Sequence, residues 1–315
     1  MGANGRVNMV QKEMPVLMLL GLCYLVFTHG VKDRPTQVIR CALHERDRED
    51  GQIGLIGMED KPAHKHSVKV VKFAQIRMLR GKYYGSIADL NVYGISPISV
   101  NQHSATAIWI VNDGDGIRPL EIIIVGWIVH PQLYGDTHTR FFTYWNHAVG
   151  SQNGGCFDLL CSGFVQVSST ISLGGILSPL SDYDGHQYVI RILIFKDPST
   201  ENWWLLMGKD VMPVGYWPKS LFNSLSGHAN KIYWGGAVFT PKNERSPPMG
   251  DGCFIEYGPA CFIAKLKLVG KRNRYRDISD DERHYYQNKP MCYDIGYFEK
   301  RKDGRYFPFG GPGGC

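Results

Sequence analysis

The chain has 315 residues, of which 43% are hydrophobic and 12% aromatic, so it can bury a sizeable core. Its formal net charge of +6 is spread along the chain, apart from basic stretches at residues 61–82 and 265–276. Neither stretch resembles a nucleic-acid-binding module, and basic residues alone establish only non-specific attraction. The composition therefore excludes a highly charged disordered chain and predicts no nucleic-acid partner.

An apolar segment lies near the amino terminus. Residues 14–30 read MPVLMLLGLCYLVFTHG and follow the basic residues Arg6 and Lys12. A membrane-spanning helix needs about 20 apolar residues, which is more than this segment offers. We therefore expect residues 1–30 to act as a secretory signal, with an uncleaved anchor as the alternative and no other membrane insertion.

Cysteine usage agrees with export. Seven of the eight cysteines follow the apolar segment, and no spacing among them resembles a zinc site. This pattern predicts disulfides and a secreted protein, located in the extracellular space or the cell wall. Because seven is odd, at least one thiol is left over or pairs with another chain. Cys41 lies within residues 31–71, a charged segment expected to be loosely ordered, and either tethers that segment or stays unpaired.

Short strand-like runs follow one another from about residue 72 onward, separated by clusters of Gly, Asp, Asn or Pro. The runs are LNVYGI, TAIWIV, LEIIIVGWIVH, RFFTYW, GFVQVSSTISL, QYVIRILIFK, WWLLMG, IYWGGAVF and CFIAKLKLV. Their number and spacing predict an all-β fold, an antiparallel two-sheet β-sandwich. Helical spacing of apolar residues occurs only at residues 218–231, where we expect a short helix.

Longer phrases of the same region carry a family resemblance. They are KYYGSIADLNVYG, GWIVHPQLYGDTHTRFFTYW, GGCFDLLCSGFVQVSS, YVIRILIFKDPSTENWWLLMG, VGYWPKSLF, IYWGGAVF, CYDIGYF and FGGPGGC. In this order they resemble the neprosin carboxy-terminal domain, which occurs in a family of secreted proteins abundant in plants. The resemblance covers about residues 72–315.

The resemblance implies a domain of two stacked, curved antiparallel sheets, akin to the fungal glutamic peptidases, over residues 72–315. It also implies two disulfides, one between Cys156 and Cys161 and one between Cys292 and Cys315. Family members carry an amino-terminal activation domain, which residues 31–71 resemble poorly. This segment is therefore expected to be degenerate or truncated.

A glutamic endopeptidase needs two carboxyl groups, one ionised to accept a proton from water and one neutral to protonate the leaving nitrogen. No metal or other cofactor is required. The resemblance places one family glutamate two positions before Gly126 and the other directly after Gly236. These positions hold Ile124 and Ala237, so neither catalytic acid is present. The interpretation is a peptidase-family fold without its chemistry, although activity through displaced acids keeps the question of an enzyme open.

Two acids elsewhere in the sequence are candidates to replace the missing glutamates. Glu121 is three residues from Ile124, and an odd offset along a strand points it to the opposite face. Glu256 lies downstream, where we expect a loop. Three histidines, His130, His138 and His147, have spacings that match no metal motif and are expected on surfaces or loops.

Aromatic residues are plentiful near the predicted cleft, and rings stack well on proline and sugar faces. The candidates for lining the cleft are Trp127, Tyr144, Trp145, Tyr216, Trp217 and Trp234. The leading hypothesis is therefore a secreted, catalytically inactive protein that binds an extended Pro-rich peptide or a cell-wall polymer. Two alternatives remain: an active endopeptidase that uses displaced acids, and a structural extracellular protein or relic.

Overall fold

The structure is a computed structural model that describes residues 10–12, 69–115, 119–146, 155–257, 260–302 and 304–315. The apolar segment at residues 14–30, Cys41 and His147 lie outside the described residues, as does nearly all of the segment 31–71. The last three residues of that segment do not fit the expectation of loose order, because they begin a regular strand at Lys69. Among the helices that the structure describes, none is long and apolar enough to cross a membrane.

Strands dominate the described chain. In chain order they are β1 (Val10–Lys12), β2 (Lys69–Met78), β3 (Gly85–Asn91), β4 (His103–Asn112), β5 (Glu121–Val129), β6 (Arg140–Asn146), β7 (Gly155–Phe157), β8 (Val165–Gln166), β9 (Gln187–Lys196), β10 (Trp203–Met207), β11 (Met212–Trp217), β12 (Lys231–Pro241), β13 (Phe262–Val269), β14 (Tyr275–Arg276), β15 (Arg283–Gln287), β16 (Asp294–Ile295), β17 (Glu299–Arg301) and β18 (Gly304–Gly310). One helical turn, α1 (Pro131–Tyr134), and two 3₁₀ turns, Lys219–Leu221 and Ile255–Tyr257, complete the set.

The strands form two antiparallel sheets. The first has seven strands in the order β15-β2-β12-β4-β5-β6-β7. The second has eleven, with the path β16-β18-β13-β3-β9-β10-β11-β8, while β1, β14 and β17 pair to the side of this path. The prediction of an all-β, two-sheet antiparallel sandwich is confirmed.

Strand β5 is buried on both faces, which explains why its sequence is apolar without alternation. Successive side chains of a strand point to opposite faces, and a run that is apolar throughout indicates burial on both. Ile123, Val125 and Trp127 enter the core between the sheets, which also includes Ile192 and Leu205 of the second sheet. The alternate residues of β5 join a second apolar cluster, made of Ala105, Ala107, Trp109, Val111, Ile122, Ile124, Ile128, Phe142, Tyr144, Phe157, Tyr233, Ala237 and Phe239. Because its strand members all belong to the first sheet, this cluster marks the outer face of that sheet.

The predicted helix at residues 218–231 is wrong. Only the 3₁₀ turn Lys219–Leu221 forms there. The following backbone is held by a side chain instead, because Glu121 accepts hydrogen bonds from the backbone N–H groups of Asn223 and Leu225 at 2.7 and 2.8 Å. The apolar spacing reflects burial of Phe222 and Leu225 in the core rather than helical periodicity.

Both implied disulfides are confirmed. Cys156 is bonded to Cys161, and Cys292 is bonded to Cys315. The first closes a short loop after β7, and the second fastens the chain end to a residue 23 positions earlier.

Candidate functional site

The outer face of the seven-stranded sheet contains a row of very small residues that crosses three strands. Gly235 of β12 lies opposite Ala107 of β4, which in turn lies opposite Gly126 of β5. No side chain in this row is larger than a methyl group. We call these three residues the floor of a trough.

Two further rows of residues flank the floor, and we call them its walls. One wall is the row Tyr233, Trp109 and Ile124, and the other is the row Ala237, Ala105 and Ile128. The two positions predicted to correspond to the family glutamates therefore lie on opposite sides of the trough. Measured along β4, they are in register with residues four apart, which corresponds to roughly 13 Å of strand.

The two floor glycines are required by close approach of neighbouring strands. A Cβ at Gly126 would lie 2.0 Å from the carbonyl oxygen of Thr106 and 2.8 Å from the Cβ of Ala107. At Gly235, where φ is +144°, a Cβ would lie 2.1 Å from the carbonyl oxygen of Ala74. Neither position can take a side chain without moving backbone, so the floor stays flat.

The strand residues of this face carry no carboxylate among the described positions of β2, β4, β5, β6 and β12. The trough is also buried, with Ile124 and Ala237 each 2% exposed. Burial raises the pKa of Tyr233 to about 12, so its phenol stays neutral. The face is therefore apolar and uncharged at the two positions where acid–base chemistry is predicted.

Neither displaced acid reaches the trough. The backbone bonds of Glu121 lie on the opposite face of β5, and both of its carboxylate oxygens are occupied there. Glu256 is exposed within the 3₁₀ turn Ile255–Tyr257.

Asp158 is a buried acid close to the β7 edge of the outer face. Its carboxylate accepts hydrogen bonds from the hydroxyl of Tyr134 at 2.6 Å and from the backbone N–H of Thr143 at 2.9 Å. Burial raises the pKa of Asp158 to about 6, and the two hydrogen bonds oppose that rise. With both oxygens bonded to protein groups, this carboxyl ties β6, α1 and β7 together.

Two histidines are stacked beyond the wall of Ala105. The rings of His103 and His130 are 4.3 Å apart and nearly parallel. Burial keeps the pKa of His103 well below its ordinary value, so its ring is neutral. His130 lies in the loop between β5 and α1, as expected, but it is 1% exposed and therefore not on the surface. The side chain of His138 is 62% exposed, and the described residues contain no group of three or more potential metal ligands.

Most of the aromatic residues predicted to line the cleft lie elsewhere. Trp127, Trp145, Trp217 and Trp234 are fully buried in the core between the sheets, which corrects that part of the prediction. The indole N–H groups of Trp127 and Trp234 donate to Asn91 and Ser86 in the second sheet.

The other two predicted aromatic residues lie on different sheets. Tyr216 belongs to β11 of the second sheet and packs against Trp204, so it also lies away from the trough. Only Tyr144 shares the outer face with Ile124, its neighbour on β5. Trp109 and Tyr233 supply the aromatic wall instead.

Sequence reasoning missed two polar residues of β2 at the end of the floor. Gln75 lies opposite Gly235, and Arg77 lies opposite Tyr233. The signal was present in the run KFAQIRM, where Phe73, Gln75 and Arg77 alternate with apolar residues. The sequence alone does not show which residues they contact, because β2 pairs with a strand about 160 residues later in the chain.

Residues 100–312, more than half of the chain, match the family model for Neprosin. The chain belongs to the Neprosin family. This assignment rests on the sequence match and agrees with the resemblance carried by the long motifs.

Two solved structures that align with this chain are peptidases. The scytalido-glutamic peptidase with a transition state analog inhibitor aligns with 77% of this Neprosin-family chain and 100% of its own, at 13% identity and a TM-score of 0.42. SCP-B, a member of the Eqolisin family of peptidases in a complex with the tripeptide Ala-Ile-His, aligns with 77% of this chain and 98% of its own. That alignment has 13% identity and a TM-score of 0.37.

Proposed function

We propose that this Neprosin-family chain is a secreted, catalytically inactive relative of the glutamic endopeptidases that binds an extended Pro-rich peptide in the trough. The observation that carries the proposal is the presence of Ile124 and Ala237 in the two walls, where the family resemblance expects glutamates. The two disulfides support secretion, because such bonds persist in oxidising compartments.

The chemistry supports inactivity. General acid–base groups contribute about 10²- to 10⁴-fold each, and neither an isoleucine nor an alanine can exchange a proton. Glu121 is committed to backbone N–H groups on the other face, and Glu256 lies on an exposed turn. Both displaced acids are therefore poor substitutes for an acid beside the trough.

The shape and lining of the trough support a peptide ligand. A floor with no side chain larger than a methyl group admits a backbone, while Trp109 and Tyr233 in one wall offer rings on which proline can stack. A Pro-rich segment is already extended before it binds, so it loses little conformational entropy. Because the floor is buried, a ligand can reach it only by displacing the groups that cover it.

Digestion of a Pro-rich peptide at acidic pH tests the loss of catalysis. We expect no cleavage by the wild-type chain or by Ile124→Glu, and cleavage by the double variant Ile124→Glu with Ala237→Glu. The matched control is Ile124→Gln with Ala237→Gln, which adds side chains of the same size without carboxyl groups. Cleavage by the wild type that is lost in Glu121→Gln would support displaced acids and contradict the proposal.

Titration of the wild-type chain with the same peptide tests binding. We expect saturable binding of the Pro-rich peptide and none of a peptide in which alanines replace the prolines. Binding of an acidic cell-wall oligosaccharide in place of the peptide would identify a polymer as the ligand. A chain that binds neither would favour a structural role or a relic.

A further inference from the structure

A buried donor without an acceptor marks the β2 end of the trough. Gln75 is 1% exposed, and its side-chain carbonyl accepts a hydrogen bond from Nε of Arg77 at 2.9 Å. This bond fixes the orientation of the amide, because turning it over would point its NH₂ group at another donor. The Nε2 atom of Gln75 is thereby left buried and without a hydrogen-bond partner in the described structure.

Arg77 adds a cation that lacks a carboxylate partner among the described residues. Its guanidinium carbon lies 3.4 Å from the ring centroid of Tyr286, 4.7 Å from that of Tyr233 and 5.4 Å from that of Phe73. Aromatic rings attract a cation through their faces but do not replace the strong acceptors that guanidinium N–H groups prefer. Burial lowers the pKa of Arg77, and the hydroxyl groups of Tyr233 and Tyr286, the latter as a hydrogen-bond partner, oppose this shift only in part.

A carboxylate meets both needs at once. It carries the opposite charge to Arg77, and its two oxygens can accept from the guanidinium and from the amide of Gln75 together. We propose that Gln75 and Arg77 receive the terminal carboxylate of a peptide that lies in the trough, an inference that rests on the proposed function.

The spacing of the strands sets the length of such a peptide. From Gly126 on β5 to Gln75 on β2 the trough crosses three strand spacings, or roughly 14 Å. An extended chain covers that distance in about four residues. The carboxylate is therefore expected about four residues beyond the residue that lies over Gly126.

Binding of three forms of one Pro-rich peptide tests the inference: the free acid, the carboxamide, and a carboxamide whose last residue is Glu. Isothermal titration of the full chain should give an affinity for the free acid about tenfold or more above that for the plain carboxamide. Arg77→Gln should abolish this preference. Arg80→Gln removes the same charge from an exposed position two residues beyond β2 and should retain this preference.

A second variant keeps the test decisive if Arg77→Gln does not fold. Gln75→Glu introduces a carboxylate next to Arg77, so it should occupy the site, remove the preference for the free acid and leave the fold intact. Tighter binding of the Glu-terminated carboxamide than of the free acid would support a carboxylate site and identify a side chain as its source.

The failures of the two proposals are distinguishable. Equal affinity of the wild type for the free acid and both carboxamides would overturn the carboxylate site while leaving peptide binding in place. A preference that survives in both Arg77→Gln and Gln75→Glu would overturn the assignment to these residues. Absence of binding by every peptide would overturn the proposed function and, with it, this inference.

Discussion

Asp158 couples the stability of the fold to pH. Burial raises its pKa to about 6, above the ordinary value of 3.8. The folded chain therefore holds this proton more tightly than the unfolded chain, and ionising Asp158 in the folded state costs free energy. Its contribution to stability is greatest below pH 4 and falls as pH rises through about 6.

The substitution Asp158→Asn removes the titrating group and keeps the size of the side chain. Relative to the variant, the wild type should lose up to about 3 kcal/mol of unfolding free energy between pH 4 and pH 7. Urea unfolding at each pH measures this difference, and Asp184→Asn, at an exposed position, should keep the wild-type slope. A wild-type chain that gains stability over this range relative to Asp158→Asn would contradict the assignment of the raised pKa.

At the residue scale the sequence predicted what depends on strand alternation and missed what depends on partners. The odd offset of Glu121 from Ile124 predicted opposite faces, and the structure has Glu121 on the opposite face. Burial of His130 could not be predicted, because it depends on a stacking partner, His103, on the neighbouring strand. Local pattern carries the direction of a side chain, but not the residue that it meets.

At the scale of the element, the floor of the trough depends on close contact among β2, β12, β4 and β5. Gly126→Ala should lower the free energy of unfolding by about 1–3 kcal/mol or more, because its Cβ would meet the carbonyl oxygen of Thr106. Gly235→Ala should cost at least as much, since it adds a left-handed φ to the clash. Gly227→Ala is the control, because no atom lies within 4 Å of a Cβ placed there. Urea unfolding of the three variants checks the prediction, and equal stability of all three would contradict it.

The strands themselves were predictable because their runs are rich in β-branched and aromatic residues between turn signals. The segment 218–231 was not, since its apolar spacing suits a helix. Long-range hydrogen bonds with the side chains of Glu121, Asn112 and Trp203 hold it in bends and a turn instead. The same long-range pairing decides which tryptophans enter the core. Trp127 and Trp234 were expected in the cleft, but alternation on a sheet buried on both faces turns them inward.

At the scale of the whole molecule, the two disulfides should contribute unequally. The loop closed by Cys292 and Cys315 spans 23 residues, whereas that closed by Cys156 and Cys161 spans 5. Loop-closure entropy predicts a loss of ~3 kcal/mol when the first pair is replaced by serine and ~2 kcal/mol for the second. Denaturant unfolding of the two double variants measures both losses. A larger loss for the shorter loop would mean that native contacts outweigh chain entropy there.

The fold class and the family were available from the sequence because many motifs over more than two hundred residues agree with one architecture. The location of the trough was not, because β12, which supplies Gly235 and Ala237, follows β4 and β5 only after about 100 residues. Only the register between β12, β4 and β5 reveals that Ile124 and Ala237 lie across a row of small residues.

Ile124 and Ala237 belong to different strands, and apolar side chains surround each of them. A carboxyl group introduced at one position alone would be desolvated without a second acid to share the work of proton transfer. Such a change lowers the free energy of unfolding and does not create an acid–base pair. The apolar walls therefore oppose a stepwise return of catalysis. Each single substitution by glutamate lowers stability without giving activity, and only substitution on both strands together supplies an acid–base pair.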